Sequence, residues 1–200
     1  MSVPYSPPSR KYLPIEEVAR LAPNLGYQAD FAKPTTTSQI EAKLERFLSI
    51  IFRSPESHES FTDRGALFKL LTLPNAPRTA SVLNDSKEFD YYLHELRNGG
   101  MNGPLNYYRT SKHRHDEEAL ANLPANLPEN LPVLFIWGTK DATATPVVIK
   151  NARKFIKKLQ DIAFEGRGHW VLAEAKDEIT EKVASWLQGL TSRPHRQGKL

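Results

Sequence analysis

The chain has 200 residues, no cysteine, two methionines and fifteen prolines. Without cysteine there is no disulfide framework, thiol nucleophile, iron–sulfur cluster or thiolate zinc site. No apolar run approaches the ~18 residues of a membrane span, and the opening residues 1–14 lack the apolar core of a signal peptide. The formal charge of +4 sits largely in a tail that carries Arg193, Arg196 and Lys199. A basic tail on a near-neutral body is no nucleic-acid footprint, so these features predict a soluble, intracellular globular chain.

From residue 15 to residue 109 the pattern is helical. Over 39–52, Ile40, Leu44, Phe47, Leu48 and Ile51 form one apolar stripe, which predicts a single helix. Over 86–97, Phe89, Tyr92, Leu93 and Leu96 share a face, with Ser86 as cap and Gly99-Gly100 as terminator. Leu73-Pro74-Asn75-Ala76-Pro77 reads as a turn. Next, Asn122-Leu-Pro, Asn126-Leu-Pro and Asn130-Leu-Pro repeat every four residues, an extended linker in which each proline disfavours helix before it.

The last third alternates strand and helix. Val133 to Trp137 is continuously apolar and closed by Gly138, the pattern of a strand buried on both faces. Residues 146–159 read as a helix, 161–164 as a second strand and 177–190 as a final amphipathic helix. The basic run Lys150, Arg153, Lys154, Lys157 and Lys158 reads as the solvated face of the first of these helices. Strand–helix–strand–helix is a βαβ unit with a parallel pair, too small to stand alone as a sheet.

His169, in Gly166-Arg167-Gly168-His169-Trp170, follows the second predicted strand, and Asp141 follows the first. Both fall beyond the carboxyl ends of adjacent parallel strands, where open α/β sheets place ligands. An Asp accepting from one imidazole nitrogen leaves the other as a general base; a capping Asp beside a packed His fits the residues equally well. His113 and His115, beside Asp116, lack a third ligand at metal spacing. His94, on a helix, and His58, in a polar loop, read as structural or exposed. Tyr27 and Tyr108 follow glycine-containing loops. A phenol, with an ordinary pKa near 10, can donate to a developing alkoxide, or simply fill an amphipathic gap.

Five motifs in order resolve some of this ambiguity. Leu25-Gly26-Tyr27-Gln28 with Phe31, Phe89-Asp90-Tyr91-Tyr92, Gly103-Pro104-Leu105-Asn106-Tyr107-Tyr108-Arg109, Gly138-Thr139-Lys140-Asp141 and Gly168-His169-Trp170 together resemble soluble epoxide hydrolases of the α/β-hydrolase superfamily. The resemblance runs from about Val3 to Leu187, and Tyr107 stands where tryptophan is usual. It implies a partial α/β-hydrolase fold, a helical lid followed by a terminal βαβα unit. The implied parts are lid 1–112, Pro-rich linker 113–131, core 132–190 and basic tail 191–200. It implies Tyr27 and Tyr108 as catalytic acids, Asp141 as the charge-relay acid and His169 as the base. Gln28 and Trp170 then contact a small epoxide substrate. Neither cofactor nor metal is implied.

The family's reaction opens the epoxide with an aspartate, then hydrolyses the alkyl-enzyme ester to a vicinal diol. Its nucleophile sits on an elbow upstream of the lid, after a His-Gly-x-Pro motif. These 200 residues contain no Gly-x-Asp-x-Gly, no Gly-x-Ser-x-Gly and no His-Gly dipeptide. The expectation is therefore a lid plus the last two strands, inactive alone, with a missing N-terminal half or an oligomer partner to complete it. The alternatives are a non-catalytic remnant acting as a binding module, a truncated gene product, or another Asp-nucleophile hydrolase such as a haloalkane dehalogenase. The ending Gly198-Lys199-Leu200 differs by one residue from a peroxisomal Ser-Lys-Leu address, so a cytoplasmic location is expected, with the peroxisome as second choice.

Overall fold

A computed structural model describes residues 5–57, 60–73, 82, 83 and 85–192. The readings at Val3-Pro4, His58, Pro74 to Pro77 and the tail from Arg193 to Leu200 lie outside the described residues. Among the described residues eight α-helices come first: α1 (Ile15–Leu21), α2 (Gly26–Ala32), α3 (Thr36–Glu41), α4 (Leu44–Ile51), α5 (Ala66–Thr72), α6 (Ser86–Gly99), α7 (Asn102–Arg109) and α8 (Ser111–Leu120). They are followed by β1 (Pro132–Gly138), α9 (Pro146–Ala152), β2 (Lys158–Phe164), α10 (Val171–Glu174) and α11 (Lys176–Thr191).

The helical part has its own core. Ile40, Leu44, Phe47, Leu48 and Ile50 are buried with Phe31, Phe61, Leu67, Phe89, Leu93, Met101 and Leu105. The single helix expected over 39–52 is instead two, because Lys43 leaves helical dihedrals at φ −138°, ψ 38°. The break re-aims the chain so that Ile40 of α3 and Phe47 of α4 enter the same core. It also brings the Glu41 carboxylate to the Met101 backbone N–H, 2.8 Å away, at the start of α7. The cap of α6 is Asp85, whose carboxylate accepts from the Lys87 N–H, rather than Ser86. Gly100, at φ 69°, ends that helix in a conformation glycine adopts without steric cost.

The segment expected as linker 113–131 is partly helical, since α8 occupies its first half. All of α8 is at least partly exposed, and a Lys112–Asp116 pair runs along it. Turns follow over residues 121–131.

Strands β1 and β2 pair in parallel, Pro132 opposite Lys158 and Gly138 opposite Phe164. Phe135 packs with α9 residues Ile149 and Ala152 on one face. On the other, Ile136 and Ile162 pack against Val171, Ala175 and Ile179. Helices thus cover both faces, the layering of an α/β unit. The expected helix over 146–159 stops at Ala152, and β2 starts at Lys158, earlier than expected. The basic run is therefore not one helical face: Arg153 pairs with Asp161 of β2, and Lys157 with Glu129. Burial of β1 also falls short of the expectation. Only Phe135 and Gly138 are fully buried, because β2 is the only strand paired with β1 among the described residues.

Candidate active site

The parallel register sets Gly138 beside Phe164, so the loops that follow emerge side by side. They are bonded together: Thr139 N–H donates to the Phe164 carbonyl (3.1 Å), Lys140 N–H to the Arg167 carbonyl (2.8 Å), and Gly166 N–H to the Thr139 hydroxyl (2.9 Å). Asp141 and His169 meet across this seam. The His169 Nδ1 lies 3.0 Å from Asp141 Oδ2, an arrangement in which Nδ1–H donates to the carboxylate and Nε2 is left for other protons. Glu174 of α10 accepts from the N–H groups on both sides of His169, Gly168 at 2.6 Å and Trp170 at 3.1 Å.

Asp141 is 7% exposed. Burial disfavours its charge. The hydrogen bond and charge of His169, with the Thr143 N–H and hydroxyl, outweigh that penalty and hold the carboxyl below the usual carboxylate range. A folded-state value below the unfolded one stabilises the fold above about pH 4, and that contribution is lost as pH falls through the folded value. In urea unfolding, the stability gap between wild type and Asp141→Asn is therefore expected to shrink from pH 6 to pH 3. A gap that stays constant would show that the Asp141 charge contributes nothing.

The helical part contributes the two tyrosines. Tyr27 is on α2, with its backbone N–H bonded to the Thr62 carbonyl at 2.9 Å. The same helix is held by Asp30, fully buried, whose carboxylate accepts from Lys33 and from the Gly65 N–H. Tyr108 is on α7, and the adjacent Arg109 ties that helix to α3 through the Thr37 hydroxyl (2.7 Å) while bonding Asn102 at the start of α7 itself (2.7 Å). The two phenol rings meet edge to face at 6.1 Å, and each also meets Phe31, at 5.5 and 5.0 Å. Burial pushes both phenols above the ordinary tyrosine value; the Gln28 amide, 3.5 Å from the Tyr27 hydroxyl, works against the shift at Tyr27. Both hydroxyls stay protonated, as donors, at any ordinary pH.

One cavity of about 610 Å³ is lined by Tyr27, Gln28, Tyr108, Asp141, His169 and Trp170, so all six residues expected at the site come together. The Trp170 indole N–H is bonded to the Ile51 carbonyl at 2.6 Å, and its ring packs on Phe52 at 4.5 Å, joining the segment after β2 to the end of α4. Sequence reasoning missed Thr143, Glu174 and the anchoring by Arg109. Asp141-Ala142-Thr143 carries an Asx-turn signal, but nothing local points from it to His169. His115 lies on α8 against Tyr12 and Asp116, and His94 bonds Asn98 on α6. Among the described residues no group of three His, Cys, Asp or Glu side chains converges as a metal site would require.

A helical part followed by a parallel strand pair with helices on both faces is a partial α/β-hydrolase fold. Solved structures agree: an epoxide hydrolase from an endophytic Streptomyces superposes with a TM-score of 0.73 at 26% identity, over 95% of this chain and 60% of that one. No family model matches the chain. By sequence its relatives are epoxide hydrolases. The bifunctional epoxide hydrolase 2 of Rattus norvegicus is 25% identical over the whole of this chain, which spans 36% of that protein. The epoxide hydrolase srdG of Neurospora crassa is 26% identical over 93% of this chain and 56% of its own length. The match falls on the C-terminal part of such proteins.

Proposed function

We propose that this chain supplies the acids, the base and its orienting carboxylate for the hydrolysis of an epoxide to a vicinal diol. The observation that carries the reading is a single cavity lined by two half-buried phenols and by a histidine engaged at Nδ1 by a buried carboxylate. An aspartate from outside these 200 residues attacks one epoxide carbon. The carbon–oxygen bond breaks, and Tyr27 and Tyr108 donate to the oxygen, leaving an alkyl ester and an alcohol. Nε2 of His169 then takes a proton from water, whose oxygen attacks the ester carbonyl; the ester C–O bond breaks to give the aspartate carboxylate and the diol, and the Nε2 proton returns to the tyrosine that gave one up. Paired phenol donors favour an epoxide over a haloalkane, whose leaving halide needs no proton. In this reading 1–112 is the lid, 132–190 belongs to the core, and no cofactor takes part.

The half-buried β1, paired on one side only among the described residues, supports a second component of the same reading, a partner segment that covers its other edge. The purified chain alone is expected to form no diol from a styrene-oxide-type probe. Together with a hydrolase segment bearing the aspartate, it is expected to form diol. In that assembly Tyr27→Phe or Tyr108→Phe should each cost about 100-fold, the usual loss for one oxyanion donor. Diol from the chain alone, abolished by Tyr108→Phe, would overturn the external nucleophile. An active assembly indifferent to both tyrosines would overturn the acid roles.

A further inference from the structure

Thr143 stands between the two charged partners. Its hydroxyl donates to Asp141 Oδ1 at 2.7 Å, and its oxygen lies 3.2 Å from His169 Nδ1. Its backbone N–H donates to the same Oδ1 at 2.8 Å, while Asp141 Oδ2 faces Nδ1 at 3.0 Å. Thr143 is itself 7% exposed, so water competes poorly for these positions. A hydroxyl has one proton. With that proton on Asp141, the Thr143 oxygen presents only lone pairs to Nδ1, as does Oδ2.

We propose that Thr143 is a positioning residue that locks His169 in its Nδ1–H tautomer by closing a three-membered ring of hydrogen bonds with Asp141. With a proton on Nδ1, the Asp141 and Thr143 oxygens both accept and every group is satisfied. With the proton on Nε2, the Nδ1 lone pair faces two oxygens; relief requires the Thr143 proton to turn away from Asp141, undoing the bond that orients the carboxylate. A base acting through Nε2 needs the first form. The inference thus rests on the proposed role of His169. An Asx turn by itself requires only the Thr143 N–H; the contact between its hydroxyl and the imidazole is additional, reaching 26 residues along the chain.

The test reads the imidazole directly and needs no turnover. Long-range proton–nitrogen correlation of the 15N-labelled chain in alkaline buffer, assigned with His169→Gln, gives the tautomer populations. Wild type is expected to be predominantly Nδ1–H. Thr143→Val, which keeps the shape and the backbone N–H, should raise the Nε2–H share at least fivefold. Thr143→Ser should restore the wild-type ratio. If the valine chain does not fold, Thr143→Ala is read in the same way. Wild-type populations in the folded valine or alanine chain would overturn the role of Thr143 while leaving His169 as the base. A wild-type chain already dominated by Nε2–H would overturn both.

Discussion

Assembled with a segment that carries the nucleophilic aspartate, a His169→Gln chain is expected to consume one epoxide per site and then stop. Opening the ring needs a carboxylate behind the carbon and donors in front of the oxygen, and the Tyr27 and Tyr108 phenols remain in the variant. Both are pushed above the ordinary tyrosine value by burial, so neither loses its proton near neutral pH. Ester hydrolysis is different. Its water is a poor nucleophile until a base takes a proton, and removal of a catalytic base costs on the order of 10⁴-fold or more in enzymes that work through such a unit. Glutamine can still accept a hydrogen bond but cannot carry the proton. Epoxide loss should therefore show a stoichiometric burst with no diol, and mass spectrometry should find the adduct on the aspartate segment. Diol formation at more than about a hundredth of the wild-type rate would show that His169 is not the base.

The parts of this site that were legible from sequence are those whose chemistry is written in one residue type. Asp141 and His169 were found because each follows an apolar strand, and the parallel register then makes the two loops neighbours. The tyrosines alone are ambiguous, and only their order among five motifs separates an acid from a gap-filling aromatic. What could not be read depends on contacts between distant segments. Nothing in the stripe from Ile40 to Ile51 announces the break at Lys43, because the break serves a core completed by Phe89 and Leu105, tens of residues away. Helix α8 was hidden for the opposite reason. It buries no residue, so its sequence carries no apolar period. The shortened α9 shows a third limit: Ile156 and Leu159 fit a helical spacing, yet Leu159 is fixed opposite Val133 in the sheet.

The glycine in Gly138-Thr139-Lys140-Asp141 has a steric cause, and Gly138→Ala is expected to be among the most damaging single changes to the fold. A β-carbon at residue 138 would lie 2.3 Å from the Arg167 carbonyl oxygen, 2.4 Å from that of Gly168 and 2.5 Å from the Arg167 carbonyl carbon. All three are backbone atoms, so no side chain can swing aside. Either the end of β1 or the 166–169 loop must move. Moving the loop breaks the Lys140–Arg167 and Thr139–Gly166 bonds that stitch the two strand ends. Overpacking with backbone shifts costs about 1–3 kcal/mol, and each lost hydrogen bond adds about 1 kcal/mol. A total of about 3–5 kcal/mol lowers the melting temperature by roughly 6–20 °C in a chain of this size. The same displacement carries His169 away from Asp141, so the Nδ1–H resonance of His169 should vanish from the variant even where it remains folded. A Gly138→Ala chain that melts within 2 °C of wild type (roughly 1 kcal/mol or less) and retains that resonance would mean that the strand end yields without disturbing the loop. The close approach of β1 to the histidine loop would then have no part in holding the pair together.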